Sequence, residues 1–393
     1  MTMRILMTAA LLTVGIVAGA FQMTEAQASP QLDEQLFSLH QPVPQSQTAK
    51  ELAQVRQSGQ LTAEEEHLNE LLRQGQARVD SGDYAGAISY YRQAAQFDQG
   101  NAKIYSGIGY LQIQLGDFRS AAESYRQAIE LDPRNTAFRY GLAHSLVRGE
   151  SYQDAEAAYR ELIRMAPNEA DAYLGLGGVL FLAGSYDAAL QIYRQLLLIS
   201  PGNASAYEAI GKIQLNQEQY SDAIDSLQRA RELDPSRSSV HVGLANAWIQ
   251  QGNTDEAFEA LNRAVQLEPN NAEAHFRLAE ILSDRGARDT SLFHYRQAVE
   301  WNPDLIPAQA ALGAILLERQ EYLQAVLSYR RLVRLLPDNP GAHYNLGLAL
   351  WGKGLQREAI AYIQLARNLY RRQEDQAGFE RAEALLQVWG VGE

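Results

Sequence analysis

The sequence predicts an all-α fold, an α-solenoid of nine 34-residue helix–turn–helix repeats followed by a C-terminal capping helix. Three observations support this prediction. Seven of the twelve prolines recur every 34 residues, small residues recur at two positions of that interval, and a bulky residue recurs at a third. A single helical hairpin cannot bury its own apolar faces, so hairpins repeated in this way are expected to stack into one continuous core.

Residues 1–28 have the pattern of a secretory signal peptide. Arg4 is the only charge before the apolar run from Ile5 to Phe21, and Ala26-Gln27-Ala28 supplies the small residues that a signal peptidase requires. We therefore expect an exported protein of bacterial type, in the periplasm or an equivalent extracytoplasmic compartment. The run at 5–21 is slightly short for a spanning helix, which needs about 20 residues, so an uncleaved N-terminal membrane anchor remains the alternative.

Residues 29–61 predict a flexible spacer, because they are rich in glutamine and proline and offer little apolar surface to bury. The ordered part of the chain is expected to begin just after it. Thr62 and Glu65 have the spacing of a capping box, in which each side chain bonds to the backbone N–H of the other residue at the start of a helix.

The repeat register comes from the prolines. The seven that recur are Pro133, Pro167, Pro201, Pro235, Pro269, Pro303 and Pro337. Because proline ends a helix and enforces a turn, we place it at position 32 of each unit. The predicted repeats are 68–101, 102–135, 136–169, 170–203, 204–237, 238–271, 272–305, 306–339 and 340–373. The first and last lack the proline, as terminal repeats often do.

Three other positions explain how each hairpin packs. Position 8 is Gly or Ala and position 20 is Ala or Ser in every unit, so the two helices can approach closely where they cross. Position 24 is bulky and usually tyrosine, so it fills the space that the small residues leave. Apolar residues at positions 4, 7, 8 and 11 then line one face of the first helix, and positions 20, 24 and 27 line one face of the second.

The chain after the repeats predicts one more helix. Phe379, Ala382, Leu385, Leu386 and Trp389 recur at helical spacing within residues 374–389. We interpret this segment as a capping helix that covers the exposed edge of the last hairpin. The alternative is a docking peptide for another protein.

With period and residue sizes in agreement across nine units, residues 68–373 resemble the tetratricopeptide repeat (TPR) family. The resemblance implies a right-handed superhelix and a scaffold for protein–protein interaction. It also implies that other proteins or peptide segments bind a concave face lined by the first helices. The partner-binding residues that it implies are Tyr110, Tyr140, His144, Leu174, Phe181, Lys212, Asn246, Phe276, Tyr344 and Trp351.

One alternative applies to the partner-binding assignment: each of these side chains could instead pack against a neighbouring repeat. The family members that hold a C-terminal carboxylate use a set of Lys and Asn residues that this chain lacks, so we do not carry that activity over.

We predict a non-catalytic scaffold. The alternative functions are a self-assembling structural solenoid and an accessory subunit of an envelope glycosyltransferase or polysaccharide-secretion machinery. A catalytic role would require a separate domain, and the flanking segments are too short to form one.

Composition narrows the chemistry further. The net charge of −13 argues against a nucleic-acid partner, and the absence of cysteine excludes disulfides and Cys-ligated zinc. His241, His275 and His343 share position 4 but lie on separate hairpins, so we predict structural histidines rather than metal ligands. Residues 347–354 show the Gly-x4-Gly-Lys skeleton of a phosphate loop without the following Ser or Thr, and the repeat explains them as an inter-helix turn. No catalytic residue, cofactor or metal is predicted.

An arginine recurs at position 25 of six units, and residues 318–372 carry nine basic against four acidic side chains. We expect a solvated outer face with local ion pairs, such as Glu156 with Arg160. The alternative is a basic stripe that faces anionic lipid or an acidic protein.

Overall fold

The computed structural model describes residues 62–391, so the predicted signal peptide and spacer lie outside the described residues. All regular secondary structure in that part of the chain is α-helical. The nineteen helices of residues 62–391 are α1 (Ala63–Asp80), α2 (Tyr84–Phe97), α3 (Ala102–Gln114), α4 (Phe118–Leu131), α5 (Thr136–Arg148), α6 (Tyr152–Met165), α7 (Ala170–Leu182), α8 (Tyr186–Ile199), α9 (Ala204–Asn216), α10 (Tyr220–Leu233), α11 (Ser238–Gln250), α12 (Thr254–Leu267), α13 (Ala272–Asp284), α14 (Arg288–Trp301), α15 (Ile306–Glu318), α16 (Tyr322–Leu335), α17 (Pro340–Gly352), α18 (Gln356–Arg372) and α19 (Gln376–Val388).

These helices form two compact units that divide within α9. The N-terminal unit ends at Ile213 and the C-terminal unit begins at Gln214. Successive helices pack against each other from α1 to α8 in the first unit and from α10 to α19 in the second. Each unit therefore consists of stacked antiparallel hairpins, which confirms the predicted all-α solenoid class.

Side-chain caps define where the helices start. Thr62 and Glu65 form the predicted capping box at α1. Asparagine side chains then cap several first helices by accepting a backbone N–H, as Asn203 accepts from Ala206 at 2.9 Å and Asn339 accepts from Ala342 at 2.9 Å. Such caps satisfy N–H groups that the helix itself leaves unpaired, and each stabilises a helix by about 1 kcal/mol.

The bulky residue at position 24 is wedged between two helix backbones. Tyr125 is almost fully buried, and a Cβ atom added to Gly109 at position 8 of the same hairpin would lie 2.9 Å from its ring. A Cβ atom added to Gly141, at position 6 of the next hairpin, would lie only 2.3 Å from the ring. The tyrosine thus joins two hairpins, and a side chain added at either of these two glycines would force its ring to shift.

The turn inside each hairpin uses one backbone conformation throughout residues 62–391. Position 15 has positive φ in every unit, and in six units it is glycine, for example Gly252 at φ 81°. Three units place a larger residue there: Glu150 at φ 57°, Glu218 at φ 60° and Gln320 at φ 61°. Because a side chain disfavours the left-handed region, these three turns are strained relative to the glycine turns.

The last helix covers the final hairpin. Helix α19 packs on α18 and buries Ala382, Leu385 and Leu386 in the same cluster as the core residues of α15 to α18. Phe379 and Trp389 are partly buried against this cluster. The helix therefore docks on its own chain in the manner of a cap.

Candidate partner-binding surface

The N-terminal unit contains six of the side chains that the sequence assigns to partner binding. They lie on the first helices of four hairpins, α3, α5, α7 and α9. Tyr110, Leu174 and Phe181 are half-buried, and each packs one side against the core while keeping accessible surface. The ring centroid of Phe181 lies 5.5 Å from that of Tyr186, with the two rings tilted by 51°.

Two of the six are core residues. Tyr140 and His144 are each less than a tenth exposed, and the Tyr140 ring makes an edge contact with Tyr159 at 6.4 Å. Burial raises the pKa of the Tyr140 phenol, so the hydroxyl stays protonated throughout the usual pH range. For these two residues the structure supports the packing alternative, and their part in partner binding stays a prediction.

Lys212 is held by a buried carboxylate. Its Nζ lies 2.6 Å from Glu208 Oε1, one helical turn earlier on α9, and the Glu208 side chain is only 3% exposed against 23% for Lys212. A buried carboxylate is costly unless it is paired, so this contact fixes the lysine. Glu208 also contributes, after burial itself, to the raised pKa of Tyr193.

In the C-terminal unit, the remaining four predicted residues divide in the same way. Asn246 and Tyr344 are half-buried, and burial raises the pKa of Tyr344. Phe276 is a core residue that contacts the Tyr295 ring at 6.1 Å. The Arg277 guanidinium, which is bound to Glu273 and Glu280, lies 5.3 Å from the Phe276 ring centroid.

Trp351 is engaged by the capping helix. Its indole stacks on that of Trp389 with ring centroids 3.9 Å apart and planes 5° apart. A partner that bound Trp351 through its ring face would compete with this contact. The sequence pattern identified both tryptophans but not their pairing.

The position-4 side chains have a structural task that the sequence did not reveal. The Nε2 atoms of His241, His275 and His343 lie 3.2, 3.0 and 2.7 Å from the carbonyl oxygens of Pro235, Pro269 and Pro337. The Tyr173 hydroxyl and the Gln309 amide donate to Pro167 and Pro303 in the same way. These hydrogen bonds close the junction between hairpins and account for the histidines as structural residues.

Above His241 the C-terminal unit contains an open groove of about 630 Å³. Helices α11 and α12 form its sides, and residues of α10 and of the turn after α13 complete its rim. The lining residues are Arg231, His241, Trp248, Asp255, Glu256, Phe258, Glu259, Ala260, Arg263 and Arg285. Among them Arg285 pairs with Asp255, and its guanidinium lies 4.6 Å from the Phe258 ring centroid.

Sequence reasoning missed this groove, although one signal for it was present. Position 23 faces position 4 of the same hairpin. At position 23, His294 covers His275 in one repeat and Tyr362 covers His343 in another. In the repeat 238–271 the same position is Ala260. The sequence alone does not show that positions 4 and 23 face each other. The alanine at position 23 of this repeat therefore could not be interpreted before the packing was known.

The outer arginines are engaged in ion pairs between hairpins. Arg126 lies 3.6 Å from Asp154, Arg296 lies 3.0 Å from Glu321, and Arg330 lies 3.0 Å from Glu358. Each pair links a position-25 arginine to the second helix of the next hairpin or to the turn that precedes it. Arg160 pairs within its own helix with Glu156 at 2.8 Å, as predicted. These contacts favour the solvated face with local ion pairs over a free basic stripe.

The segment that resembles a phosphate loop is largely helical. Gly347 is buried in α17, where an added Cβ atom would lie 2.6 Å from Ile363, and Gly354 forms the following turn at φ 86°. In the described part of the chain, no three His, Cys, Asp or Glu side chains are grouped to hold a metal ion. Within residues 62–391, no helix is both long and apolar enough to cross a bilayer.

Comparison with known families gives matches along most of the repeat region. Profiles described as tetratricopeptide repeat match residues 72–136, 106–167, 140–204 and 208–272, then 249–316 and 340–371. A further profile described as TPR repeat matches residues 313–354. A search of curated proteins finds no match.

Among solved structures that resemble this chain, one superposes well enough to show the fold. A tetratricopeptide repeat protein from Parabacteroides merdae superposes with a TM-score of 0.52 and 15% identity, over 64% of this chain and 99% of that one. MamA from Desulfovibrio magneticus RS-1 gives 0.39 and 23% over 43% and 96% of the two chains. YrrB, described as a TPR protein with an unusual peptide-binding site, gives 0.37 and 21% over 47% and 95%.

Proposed function

Because this chain belongs to the tetratricopeptide repeat family, whose members are generally protein-interaction scaffolds, we propose that it is a non-catalytic scaffold. It binds a partner protein or peptide through the face that its first helices line. The observation that carries the proposal is the set of large side chains on those helices that keep accessible surface after packing: Tyr110, Leu174, Phe181 and Tyr344.

These four side chains suit a binding face for a physical reason. Each is anchored on one side by the core, so little rotamer freedom is left to lose when a partner covers the other side. A few well-packed side chains contribute most of the binding energy in many protein interfaces, and tyrosine is enriched among them. Lys212, paired with Glu208, lies on a first helix of the N-terminal unit.

Photo-crosslinking tests this assignment directly. A photoreactive phenylalanine analogue placed at Tyr110, Leu174 or Tyr344 is expected to capture the same partner in living cells. The matched controls are Glu123 and Gln191, which are exposed on second helices. Equal capture from the control positions would overturn the assignment to the first helices.

We place the scaffold outside the cytoplasm of a bacterial cell, on the basis of the pattern in residues 1–28. Cell fractionation followed by N-terminal sequencing tests this placement. Export with cleavage predicts a mature chain that begins at Ser29, and an uncleaved anchor predicts a membrane-bound chain that retains residues 5–21. A soluble cytoplasmic chain with an intact N-terminus would contradict both forms of the proposal.

One observation favours self-assembly as a second candidate function. Position 22 on the second helices is polar or alanine in seven of the nine repeats, but it is Phe293 and Leu327 in the repeats 272–305 and 306–339. Phe293 is 55% exposed and Leu327 is 61% exposed. Leu323, on the same face of α16 as Leu327, is 52% exposed. Large apolar side chains exposed together mark an interaction surface.

Sedimentation over a range of protein concentrations separates the two candidates. Self-assembly through this face predicts a mass that rises with concentration, and replacement of Leu323 and Leu327 by glutamate is expected to hold the protein at monomer mass. A monomer at all concentrations would leave the scaffold as the sole candidate.

A further inference from the structure

Two of the three position-4 histidines are covered by a ring, and the third lines a groove. His294 covers His275 and Tyr362 covers His343, and both covering residues stand at position 23 of their repeats. In the repeat 238–271 position 23 is Ala260, and both Ala260 and His241 line the groove. His241 is itself only 7% exposed, so its ring forms a fixed wall of the groove.

The size and the apolar walls of the groove fit a small ligand. Ligand pockets typically measure roughly 300–1,000 Å³ and combine apolar walls with a few polar groups. This groove measures about 630 Å³, and Trp248 and Phe258, both half-buried, supply its apolar walls. An aromatic side chain suits such walls, because contacts between rings add to the gain from burying apolar surface.

The charged residues of the groove balance in number. Three arginines and three carboxylates line it, so net charge favours neither an acidic nor a basic ligand. Arg285 is bound to Asp255, which leaves two residues of each sign. Within residues 62–391 these four form no ion pair: Arg231, Arg263, Glu256 and Glu259.

The unpaired charges of opposite sign lie toward different ends of the groove. Burial lowers the pKa of His241 and both unpaired arginines lower it further, against an opposing hydrogen bond to Pro235, whereas no carboxylate of the groove contributes. The arginines are therefore the charges nearest the imidazole. Glu256 stands in the first turn of α12, and Arg263 follows about 10 Å further along the helix, with Glu259 between them. The groove is thus dipolar.

We infer that this groove binds a short peptide with free termini and an aromatic side chain. The amino group of the peptide lies at the carboxylate end of the groove, its carboxylate pairs with the two unpaired arginines, and its aromatic ring lies over Ala260 against Trp248. An extended chain covers about 3.3–3.6 Å per residue, so a tripeptide spans about 10 Å. A zwitterion of this length pairs with both ends, which a purely acidic or purely basic segment cannot do.

This site is distinct from the proposed partner-binding face, and the inference does not rest on that proposal. An α-helix turns about 100° per residue, so Trp248 lies about 200° around α11 from Asn246. Asn246 is the residue of this helix that the sequence assigned to partner binding. One helix thus carries the two surfaces on roughly opposite sides.

Fluorine NMR tests the inference. Full-length protein labelled with 5-fluorotryptophan is expected to give four signals, one each for Trp248, Trp301, Trp351 and Trp389, and Trp248→Phe assigns the relevant one. The probe is the tripeptide Ala-Phe-Ala with free termini, and the Trp248 signal is expected to shift and saturate. Ala-Gly-Ala, which lacks the ring, is expected to leave the signal in place.

Blocking each end of the tripeptide tests the two charge contacts separately. Acetylation removes the charge of the amino group, and amidation removes that of the carboxylate. Each change is expected to weaken binding roughly 3- to 5-fold, the effect of one solvent-exposed ion pair. A peptide blocked at both ends is expected to bind roughly 10- to 25-fold more weakly than the free tripeptide.

Two double variants at the rim assign each charge contact to its end of the groove. With Arg231→Gln and Arg263→Gln, the free tripeptide and its amide are expected to bind equally, while acetylation still weakens binding. With Glu256→Gln and Glu259→Gln, acetylation is expected to have no effect, while amidation still weakens binding. A merely structural role of these side chains would weaken all of the peptides alike.

A matched pair of variants locates the aromatic ring. Ala260→Tyr fills the groove with the residue that position 23 already carries at Tyr362, so the fold is expected to be retained while the peptide response is lost. Ala158→Tyr makes the same change at position 23 of a repeat in the N-terminal unit and is expected to leave the response intact. The rim variants keep the inference testable even if Ala260→Tyr unfolds.

Three results would overturn the inference. They are an unmoved Trp248 signal in the wild-type protein at millimolar Ala-Phe-Ala, equal binding of the free and the doubly blocked peptide, and an undiminished response in folded Ala260→Tyr. The crosslinking experiment on Tyr110, Leu174 and Tyr344 is independent of these measurements, so either proposal can fail while the other stands.

Discussion

The repeats 238–271 and 272–305 share the same hydrogen bond at the junction with the preceding repeat, but they differ in the side chain that lies over its histidine. Both place a histidine at position 4 and bond its Nε2 to the carbonyl of the preceding repeat proline, at 3.2 Å for His241 and 3.0 Å for His275. In the second repeat His294 covers the histidine, and in the first Ala260 leaves it open to a groove. In this pair of repeats, the side chain at position 23 distinguishes the covered histidine from the one that lines the groove.

The comparison shows where a repeat fold can acquire a site. At the positions that join hairpins, such as Tyr125 between Gly109 and Gly141, an added side chain meets the tyrosine ring, so the ring must shift to accept it. Position 23 only covers the junction, so the fold persists when it is alanine, histidine or tyrosine. Variation at such covering positions can create a pocket without loss of the stack.

Removal of a cover should have the largest effect on stability. Tyr362→Ala deletes the ring stacked on His343 and is expected to lower the free energy of unfolding by about 2 kcal/mol, less than for a fully buried aromatic residue because Tyr362 is half-buried. Denaturant unfolding measures the loss. Leu365→Ala, on the exposed face of the same helix, is the control and should cost under about 1 kcal/mol. Equal losses for both variants would show that the cover contributes nothing specific.

Acidification should destabilise the repeat 272–305, in which His294 covers His275. Burial, and then the neighbouring His275, lower the pKa of His294 to about 4. In the unfolded chain the pKa is about 6.5, so between pH 6.5 and pH 4 the unfolded state binds more protons and stability falls as pH falls. The expected loss is about 1–2 kcal/mol, and no contribution from His294 is expected above pH 6.5.

Comparison of the wild-type protein with a variant isolates the contribution of His294 to the acid sensitivity of the fold. Urea unfolding at pH 7.0 and pH 4.5 compares the wild-type protein with His294→Tyr, which keeps a ring over His275 but removes the titrating group. The variant should lose less stability on acidification than the wild type. The same acid sensitivity in both proteins would assign the effect to other groups.

Closing the open repeat should stabilise it modestly. Ala260→Tyr is expected to raise the free energy of unfolding by about 1 kcal/mol, since the added ring buries apolar surface against His241 and Trp248. The measurement is the shift of the thermal midpoint relative to wild type. A lower midpoint would mean that Ala260 is required by packing and is not merely a missing cover.

The smallest expected effect concerns the turns of the hairpins. Gln320→Gly relieves a left-handed residue and is expected to add about 0.5–1 kcal/mol, whereas Gly252→Gln, in the repeat with the open groove, should subtract a similar amount. Thermal unfolding of the two single variants measures both signs. Shifts of the same sign would contradict a common turn geometry.

Much of the fold could be predicted from residue sizes in register. The proline spacing and the small and bulky residues at positions 8, 20 and 24 depend on local packing within one hairpin, and such packing leaves a periodic trace in the sequence. Gly141, by contrast, is small because Tyr125 of the preceding hairpin presses on it, and a contact between hairpins is not visible in one period. Glu218 escaped notice as a turn residue because only glycine signals a left-handed turn from sequence.

The candidate site was less predictable. The first-helix residues were assigned through the family resemblance, and that reasoning could not separate half-buried Phe181 from buried Phe276, since burial depends on the neighbouring repeat. The groove over His241 required knowledge that position 23 faces position 4. Three-dimensional pairing of this kind is information that a single sequence does not contain.

The hydrogen bond from position 4 to the repeat proline also has a mechanical consequence. In the repeat 340–373 it ties His343 to the carbonyl oxygen of Pro337, six residues earlier, at 2.7 Å, so a force that straightens the segment between these two residues must break this bond. Tyr173 and Gln309 make the equivalent hydrogen bond through a hydroxyl and an amide. A phenol, an amide and an imidazole can therefore each supply the donor that ties a first helix to the proline of the preceding repeat.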